Sequence, residues 1–467
     1  MKLLLQNKRV LVLGLGDTGL SALRWLDKQG AILSVADSRD NPPNLDNLAR
    51  DMPHVTIYAG AFKNTVLLHA EVIVISPGVT LNQPAVQAAI KKGIPVVGDV
   101  ELFALHRPKH AKVIGITGSN GKTTVTTLIG EICKKAGLKT IIAGNIGLPV
   151  LDTLSMDTPD VYVLELSSFQ LEATSSLQLD AATVLNVCED HMDRYASIAD
   201  YAATKARILV HAKVAVLNRD DLISFGLSNI NTVTFGLNAA PNIRDFGLVE
   251  CQEAGKTEQY LASGQRKICK TSALKIVGKH NVANALAAAA LCDAVGIDKA
   301  MISAALLDFK GLPHRVEWVA NIDGVDYYDD SKGTNVGATC AAIVGMTKND
   351  NGHNQPQKTV LIAGGDGKGQ DFSPLAVAVQ ANSRAVVLIG RDAPLIEAVL
   401  LATNVLIYHA VDLPEAVNIA KKIAKVGDTI LLSPACASFD MFKNYVHRAE
   451  VFVEAVKRIE NQQVATC

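Results

Sequence analysis

Short, unbroken apolar runs alternate along this chain with stretches of helical period. Residues 8–13 (Lys-Arg-Val-Leu-Val-Leu) read as a buried strand, 14–19 as a glycine turn, and 20–29 as a helix stopped at Gly30. Apolar runs at 32–36, 72–75 and 94–97 continue the strand pattern, so the first hundred residues alternate β and α. A polar, proline-bearing stretch at 106–110 ends this unit.

A second strand-turn-helix unit opens at Lys112-Val-Ile-Gly-Ile-Thr117. Its helix spans 122–135 and is capped by Gly137. Strands follow at 161–166, 182–187 and 214–217. Residues 230–275 alternate only over short stretches and predict a small antiparallel addition, and the Ala-rich run 284–294 predicts a helix. A second linker begins around 310–313, and strands at 359–363, 385–389, 405–408 and 429–432 make a third unit. Residues 348–358 carry no apolar pattern and are expected to be an exposed loop.

The pattern predicts an α/β protein of three domains, each built on a mostly parallel sheet with flanking helices: 1–108, 109–310 and 311–467. Composition agrees. Of 467 residues 49% are hydrophobic but only 5% aromatic, so the core is aliphatic, as in parallel sheets covered on both faces. Lys plus Arg number 45 and Asp plus Glu 46. That net charge of -1 argues against a nucleic-acid binder. No apolar run is long enough to span a bilayer, and Gln6-Asn7-Lys8-Arg9 interrupts the opening leucines before any cleavage pattern, so the expected location is the cytoplasm. The eight cysteines include no C-x-x-C pair, which favours free thiols over disulfides or a zinc site.

Chemistry concentrates at strand ends. Gly118-Ser119-Asn120-Gly121-Lys122-Thr123-Thr124 lies between a strand and a helix, where loop amides and the helix dipole hold phosphate, Lys122 reaches the β- and γ-phosphates and Thr123 ligates Mg²⁺. Ile116 stands at the first glycine position of the general pattern. Gly14-Leu-Gly16-Asp-Thr-Gly19 followed by Asp37 satisfies a dinucleotide fingerprint, yet the same turn suits any diphosphate. Glu165 and His191 follow apolar strands of the middle unit and are metal-ligand types, although His191 alone also reads as an ordinary loop histidine. Lys332 and Lys368 read equally as surface charges.

The order of 118–124, Glu165-Leu-Ser-Ser-Phe-Gln-Leu-Glu172, Asp190-His-Met-Asp-Arg-Tyr195, Leu312-Pro-His-Arg315, Asp330-Ser-Lys332 and Gly364-Gly-Asp-Gly-Lys368 resembles the Mur ligases of peptidoglycan synthesis. The resemblance covers essentially the whole chain. Leu-Ser-Ser-Phe-Gln and Ser-Pro-Ala-Cys-Ala-Ser438 point within that family to a member that adds D-glutamate.

It implies a Rossmann-like N-terminal domain for the UDP-substrate, a P-loop ATPase-like central domain and a Rossmann-like C-terminal domain for the amino acid. The implied reaction uses ATP as co-substrate and two Mg²⁺ ions to join D-glutamate to UDP-MurNAc-L-alanine through an acyl phosphate, in a monomer with no nucleic-acid or membrane partner. By resemblance Gly118, Ser119, Asn120, Gly121, Lys122, Thr123, Thr124, Asn284, Arg315 and Asp330 hold ATP. Thr123, Glu165 and His191 serve Mg²⁺, joined by Lys205 if it is carbamylated rather than a plain surface lysine. Catalysis falls to Lys122, Glu165, His191, Lys205 and Arg315. Asp17, Thr18, Asp37, Ser38, Gly78, Asn145, Ser167 and Gln170 face the UDP-substrate, and Lys332, Thr334, Lys368, Ser438 and Phe439 face D-glutamate. A folylpolyglutamate synthetase, a NAD-dependent oxidoreductase and a non-catalytic nucleotide binder are the competing classes.

Overall fold

The computed structural model describes residues 4–227, 231–253, 255–346 and 357–464, without the side chains of 462–464. Its strands form three separate sheets. The first contains β1 (Arg9–Leu13), β2 (Ile32–Asp37), β3 (Thr56–Ala59), β4 (Val72–Ile75) and β5 (Val96–Gly98) in the order β3-β2-β1-β4-β5, all parallel. The order reverses between β1 and β4, so the connections leaving their carboxyl ends run to opposite faces of the sheet there, the position at which open α/β sheets form a binding crevice, beside the turn at 14–19.

The second sheet holds β6 (Lys112–Thr117), β7 (Thr140–Gly144), β8 (Val161–Glu165), β9 (Leu179–Val184), β10 (Ala212–Asn218), β11 (Thr232–Phe235), β12 (Phe246–Glu253), β13 (Lys256–Ser263) and β14 (Arg266–Lys270). Its order is β14-β13-β12-β11-β10-β9-β6-β8-β7, and only the pairs formed by β12, β13 and β14 among themselves are antiparallel. The expected antiparallel addition is therefore present. The helix Lys279–Ala294 starts five residues earlier than expected, and Ala285 to Cys292 are buried on every side. Alanine suits most of that run because the helix packs closely between the sheet and helix Lys122–Lys135, with Leu286 and Leu291 as its larger buried side chains.

The third sheet has the order β15-β16-β20-β17-β18-β19, from β15 (Glu317–Ile322), β16 (Val325–Asp329), β17 (Thr359–Gly364), β18 (Ser383–Ile389), β19 (Leu406–His409) and β20 (Thr429–Leu432). Only β15 and β16 pair antiparallel.

Several expected bounds move. The first helix is Asp17–Lys28 rather than 20–29, because the turn's last three residues are already helical. The strand expected at 182–187 is Leu179–Val184: beyond it Asn186 leaves the ladder and bonds the phosphate loop instead. The strand expected at 94–97 is Val96–Gly98, since Pro95 lacks the amide a ladder position needs. Of the loop expected at 348–358, all but residues 357 and 358 lies outside the described residues. The seven described cysteines are free. Among the described residues no helix is long and apolar enough to cross a membrane.

Candidate active site

Gly118 to Thr124 emerge from the carboxyl end of β6, between β9 and β8, so every residue following those strands reaches the same edge. Gly121, with φ of +83°, is the cap of helix Lys122–Lys135 and takes the left-handed conformation that only glycine adopts cheaply. The loop is held from behind. The Ser119 amide donates to the Asn186 carbonyl at 2.9 Å, the Asn120 amide to Asn186 Oδ1 at 2.8 Å, and Ser119 Oγ to the Cys188 carbonyl at 2.9 Å. The amides of Lys122, Thr123 and Thr124 precede the first intrahelical bond and point outward with the dipole, which is an anion site.

Two lysines converge on this loop. Lys122 Nζ donates to the Gly118 and Ser119 carbonyls at 2.8 and 2.9 Å, and Lys205 Nζ to the Gly118 carbonyl at 2.9 Å. Lys205 is 1% exposed and lies 4.4 Å from the centre of the Tyr201 ring. Burial, and then the charge of Lys122, hold its amine far below the ordinary lysine range. Burial likewise lowers Lys122, against the opposing pull of Glu165 and Asp190.

Glu165 ends β8 and is 1% exposed. Its Oε1 accepts from Asn145 Nδ2 at 2.7 Å, while its Oε2 is buried with no protein donor. A buried carboxylate oxygen without a donor, with the Thr123 hydroxyl and His191 at the same edge, is a donor set suited to a hard cation. His191 has φ of +59°, packs against Phe169 at 4.8 Å between ring centres, and is held below the usual histidine range by burial.

The third sheet meets this edge. Arg315 NH2 donates to Thr123 Oγ1 at 2.8 Å, Asn335 and Asn120 exchange amide hydrogen bonds at 3.0 and 3.2 Å, and Lys368 Nζ lies 3.7 Å from Asp190 Oδ1. Asp330 follows β16 and accepts from Ser433 Oγ at 2.7 Å; burial pushes its carboxyl up to about 7. Between the two sheets lies a cavity of about 350 Å³ lined by Gly121, Thr124, Asn284, Arg315, Asp330 and Gly337. Lys332 stacks its ammonium over Tyr445 at 4.1 Å and is lowered to about 8, chiefly by burial.

Three family models cover the chain in order: the Mur ligase MurD-like N-terminal domain at 8–98, the Mur ligase middle domain at 116–292 and the Mur ligase glutamate ligase domain at 314–436. This chain belongs to the Mur ligase family. The UDP-N-acetylmuramoylalanine--D-glutamate ligase of Methylobacillus flagellatus is 59% identical over 99% of both chains, and that of Nitrosomonas europaea 49% identical over 98% of both. MurF from Acinetobacter baumannii shares the fold with a TM-score of 0.60 at 16% identity, covering 96% of this chain and 91% of that one. MurF of Thermotoga maritima in complex with ADP has a TM-score of 0.59 at 16% identity, covering 98% and 96%.

In this Mur ligase the expected ATP and metal residues gather at one edge, but the UDP-substrate residues divide. Asp37 is 3% exposed and fully engaged: Oδ2 accepts from the Leu15 amide and Arg39 NH2, each at 2.7 Å, and Oδ1 from the Arg39 amide and Nε. Asp17 accepts from Asn44, Thr18 is in the first helical turn, and Ser38 and Gly78 are exposed beside that crevice. Ser167 and Gln170 form a capping box on helix Ser168–Glu172.

Around the expected amino-acid site, Thr334 donates its amide to the Lys332 carbonyl at 2.9 Å, Ser438 is buried and Phe439 is 74% exposed. Sequence reasoning gave no role to Asn186, Asn335 or Ser433. Nothing local marks an asparagine that supports a loop from another strand.

Proposed function

We propose that this Mur ligase joins D-glutamate to UDP-N-acetylmuramoyl-L-alanine at the cost of ATP, as the names of its 59% and 49% identical relatives describe for those proteins. The observation that carries the reading is the Arg315–Thr123 contact at 2.8 Å. A cation from the segment that leads into the third sheet touches the loop of the second, so the two together enclose a site for phosphoryl transfer.

A carboxylate resists attack by an amine until one oxygen becomes a good leaving group. The substrate carboxylate attacks the γ-phosphorus of ATP, ADP departs, the free amine of D-glutamate attacks the acyl carbon, and phosphate leaves as the new amide nitrogen gives up a proton. Lys122 and the amides of 122–124 bind the phosphates, Arg315 offsets charge on the transferring group, and Asn284 and Asp330 border the cavity for the nucleoside. Thr123, Glu165, His191 and a carbamylated Lys205 would hold two Mg²⁺, which when bound compensate the phosphate charge.

The burial that lowers the Lys205 amine also favours its free-base form, the form that can add to CO₂, releasing a proton and leaving an anionic carbamate. Lys205→Ala is expected to lower kcat by about 10- to 100-fold with partial rescue by a short carboxylic acid; full activity, or no rescue, counts against the carbamate.

In the third domain Lys332, Lys368, Thr334 and Ser438 supply donors for two carboxylates, and the exposed Phe439 follows Ser438. The first domain, 1–108, takes the UDP part; 109–310 takes ATP; 311–467 takes the amino acid. Incubation of ATP and UDP-MurNAc-L-alanine with D-Glu, L-Glu, L-Lys or meso-diaminopimelate is expected to yield product with D-Glu alone. Equal turnover of L-Glu and D-Glu would sink the assignment.

A further inference from the structure

Asp190-His-Met-Asp-Arg-Tyr195 and the segment ending in Glu172 contain a cluster that the chemistry above does not use. Arg194 NH1 donates to the Pro77 carbonyl at 2.7 Å, across the boundary between the first and second sheets. Its NH2 donates to Glu172 Oε2 at 2.7 Å, and Glu172 Oε1 accepts from the Tyr195 hydroxyl at 2.7 Å. The guanidinium carbon lies 4.0 Å from the centre of the Phe169 ring, whose neighbour is the His191 imidazole at 4.8 Å. Arg194 and Glu172 side chains retain 13% and 16% of their exposure.

Pro77 belongs to the Ser76-Pro-Gly78 loop that follows β4 beside the first sheet's switch point. Ser76 donates its amide to the Leu13 carbonyl at 2.9 Å and its hydroxyl to the Gly14 carbonyl at 3.2 Å, so this loop is continuous with the turn at 14–19. Arg194 thus touches the wall of the UDP crevice with one nitrogen, a fixed carboxylate with another, and with its face a ring that packs on His191. A planar guanidinium suits this place because its donors diverge at fixed angles while its face stays free to stack. A lysine would supply the charge but neither the fork nor the plane.

We propose that Arg194 is a positioning residue that sets the first domain's substrate crevice against His191, so that the substrate carboxylate arrives in register with the phosphate loop. The substrate is anchored at its UDP end in one domain and reacts at its carboxylate in another. An error in their relative placement is therefore carried to the reacting atoms, where misplacement by about 1 Å costs on the order of 100-fold in rate. The inference rests on the ligase reading above, and wild-type turnover of UDP-MurNAc-L-alanine tests that reading separately.

The experiment compares wild type, Arg194→Met, Arg194→Lys, Glu172→Gln and the double variant Arg194→Met/Glu172→Gln in steady-state kinetics for all three substrates, with thermal unfolding alongside. Arg194→Met is expected to lower kcat about 100-fold and raise KM for the UDP-substrate, with KM for ATP and for D-glutamate within about twofold of wild type. Arg194→Lys should recover part of kcat. Glu172→Gln should move the same parameters less, and the double variant should be no worse than Arg194→Met, because the two residues act as one unit.

A folded Arg194→Met with kcat within about threefold of wild type, or all three KM values rising together, overturns the proposal. If Arg194→Met does not fold, Glu172→Gln decides: the same split in kcat and KM supports the brace, and unchanged kcat overturns it.

Discussion

The turns at 14–19 and 118–124 are built alike: a parallel strand, a glycine turn and a helix whose first amides face outward. The side chains set closest to their amides differ in sign. In the first, Asp17 stands in the opening helical turn and Asp37 accepts the Leu15 amide, so carboxylates already occupy part of the cradle. In the second no acidic residue lies in the first turn, and Lys122, Lys205 and Arg315 crowd the loop.

A triphosphate passing through a transition state needs cations, and the central turn supplies them. The first turn offers amides for oxygen atoms and carboxylates for donors, which suits the diphosphate and hydroxyls of a nucleotide handle that takes no part in bond making. A glycine fingerprint therefore reports backbone geometry; the side chains that converge on it decide the chemistry.

The comparison breaks most sharply at the lysine. Lys122→Ala is expected to lower kcat by about 10³-fold or more, while the affinity for UDP-MurNAc-L-alanine, measured by calorimetry, stays within about twofold if that handle binds the first sheet as proposed. Equal loss of both would show that the two turns are not independent.

Next in size is Gly19→Ala. A Cβ there would lie 1.9 Å from the Gly14 carbonyl oxygen, a backbone atom that cannot step aside, so denaturant unfolding should show a loss of about 1–3 kcal/mol.

Asp37→Ala should raise KM for the UDP-substrate about 10-fold and leave KM for ATP unchanged, since it releases the Leu15 amide and Arg39 that it holds in place at the first turn alone. The same carboxyl sharpens the comparison by pH. Its hydrogen bonds and charge pairing with Arg39 lower it from 3.8 to about 2 in the folded protein. Its contribution is therefore complete above the unfolded value and fades as pH falls through the interval from 3.8 to about 2. Arg39 is half exposed, so the contribution is about 1–2 kcal/mol after screening, and acid titration of Asp37→Asn should lack that step. Smallest is Gly16→Ala, where an added Cβ meets nothing within 4 Å; stability should change by no more than about 0.5 kcal/mol.

Along the chain itself, unbroken apolar runs identified most of the parallel strands, and strand-glycine-helix spacing identified both turns, because these are local consequences of burial and backbone geometry. A hairpin at β15 and β16 went unread, although Asp323-Gly324, with φ of +53° and +75°, is a local turn signal of the kind that marks one. The end of β9 was not legible locally: Leu185 and Val187 continue its apolar run, yet the Asn186 carbonyl and side chain are taken by Ser119 and Asn120. Nor does any local pattern bring Arg315 to Thr123, 192 residues away in sequence, bury Lys205 against Gly118, or give Arg194 a carbonyl from the first domain. Residue types and spacing are written in one dimension. Burial, the shift of an amine's proton affinity and the meeting of three sheet edges depend on neighbours distant in the chain, and only the packed structure supplies those.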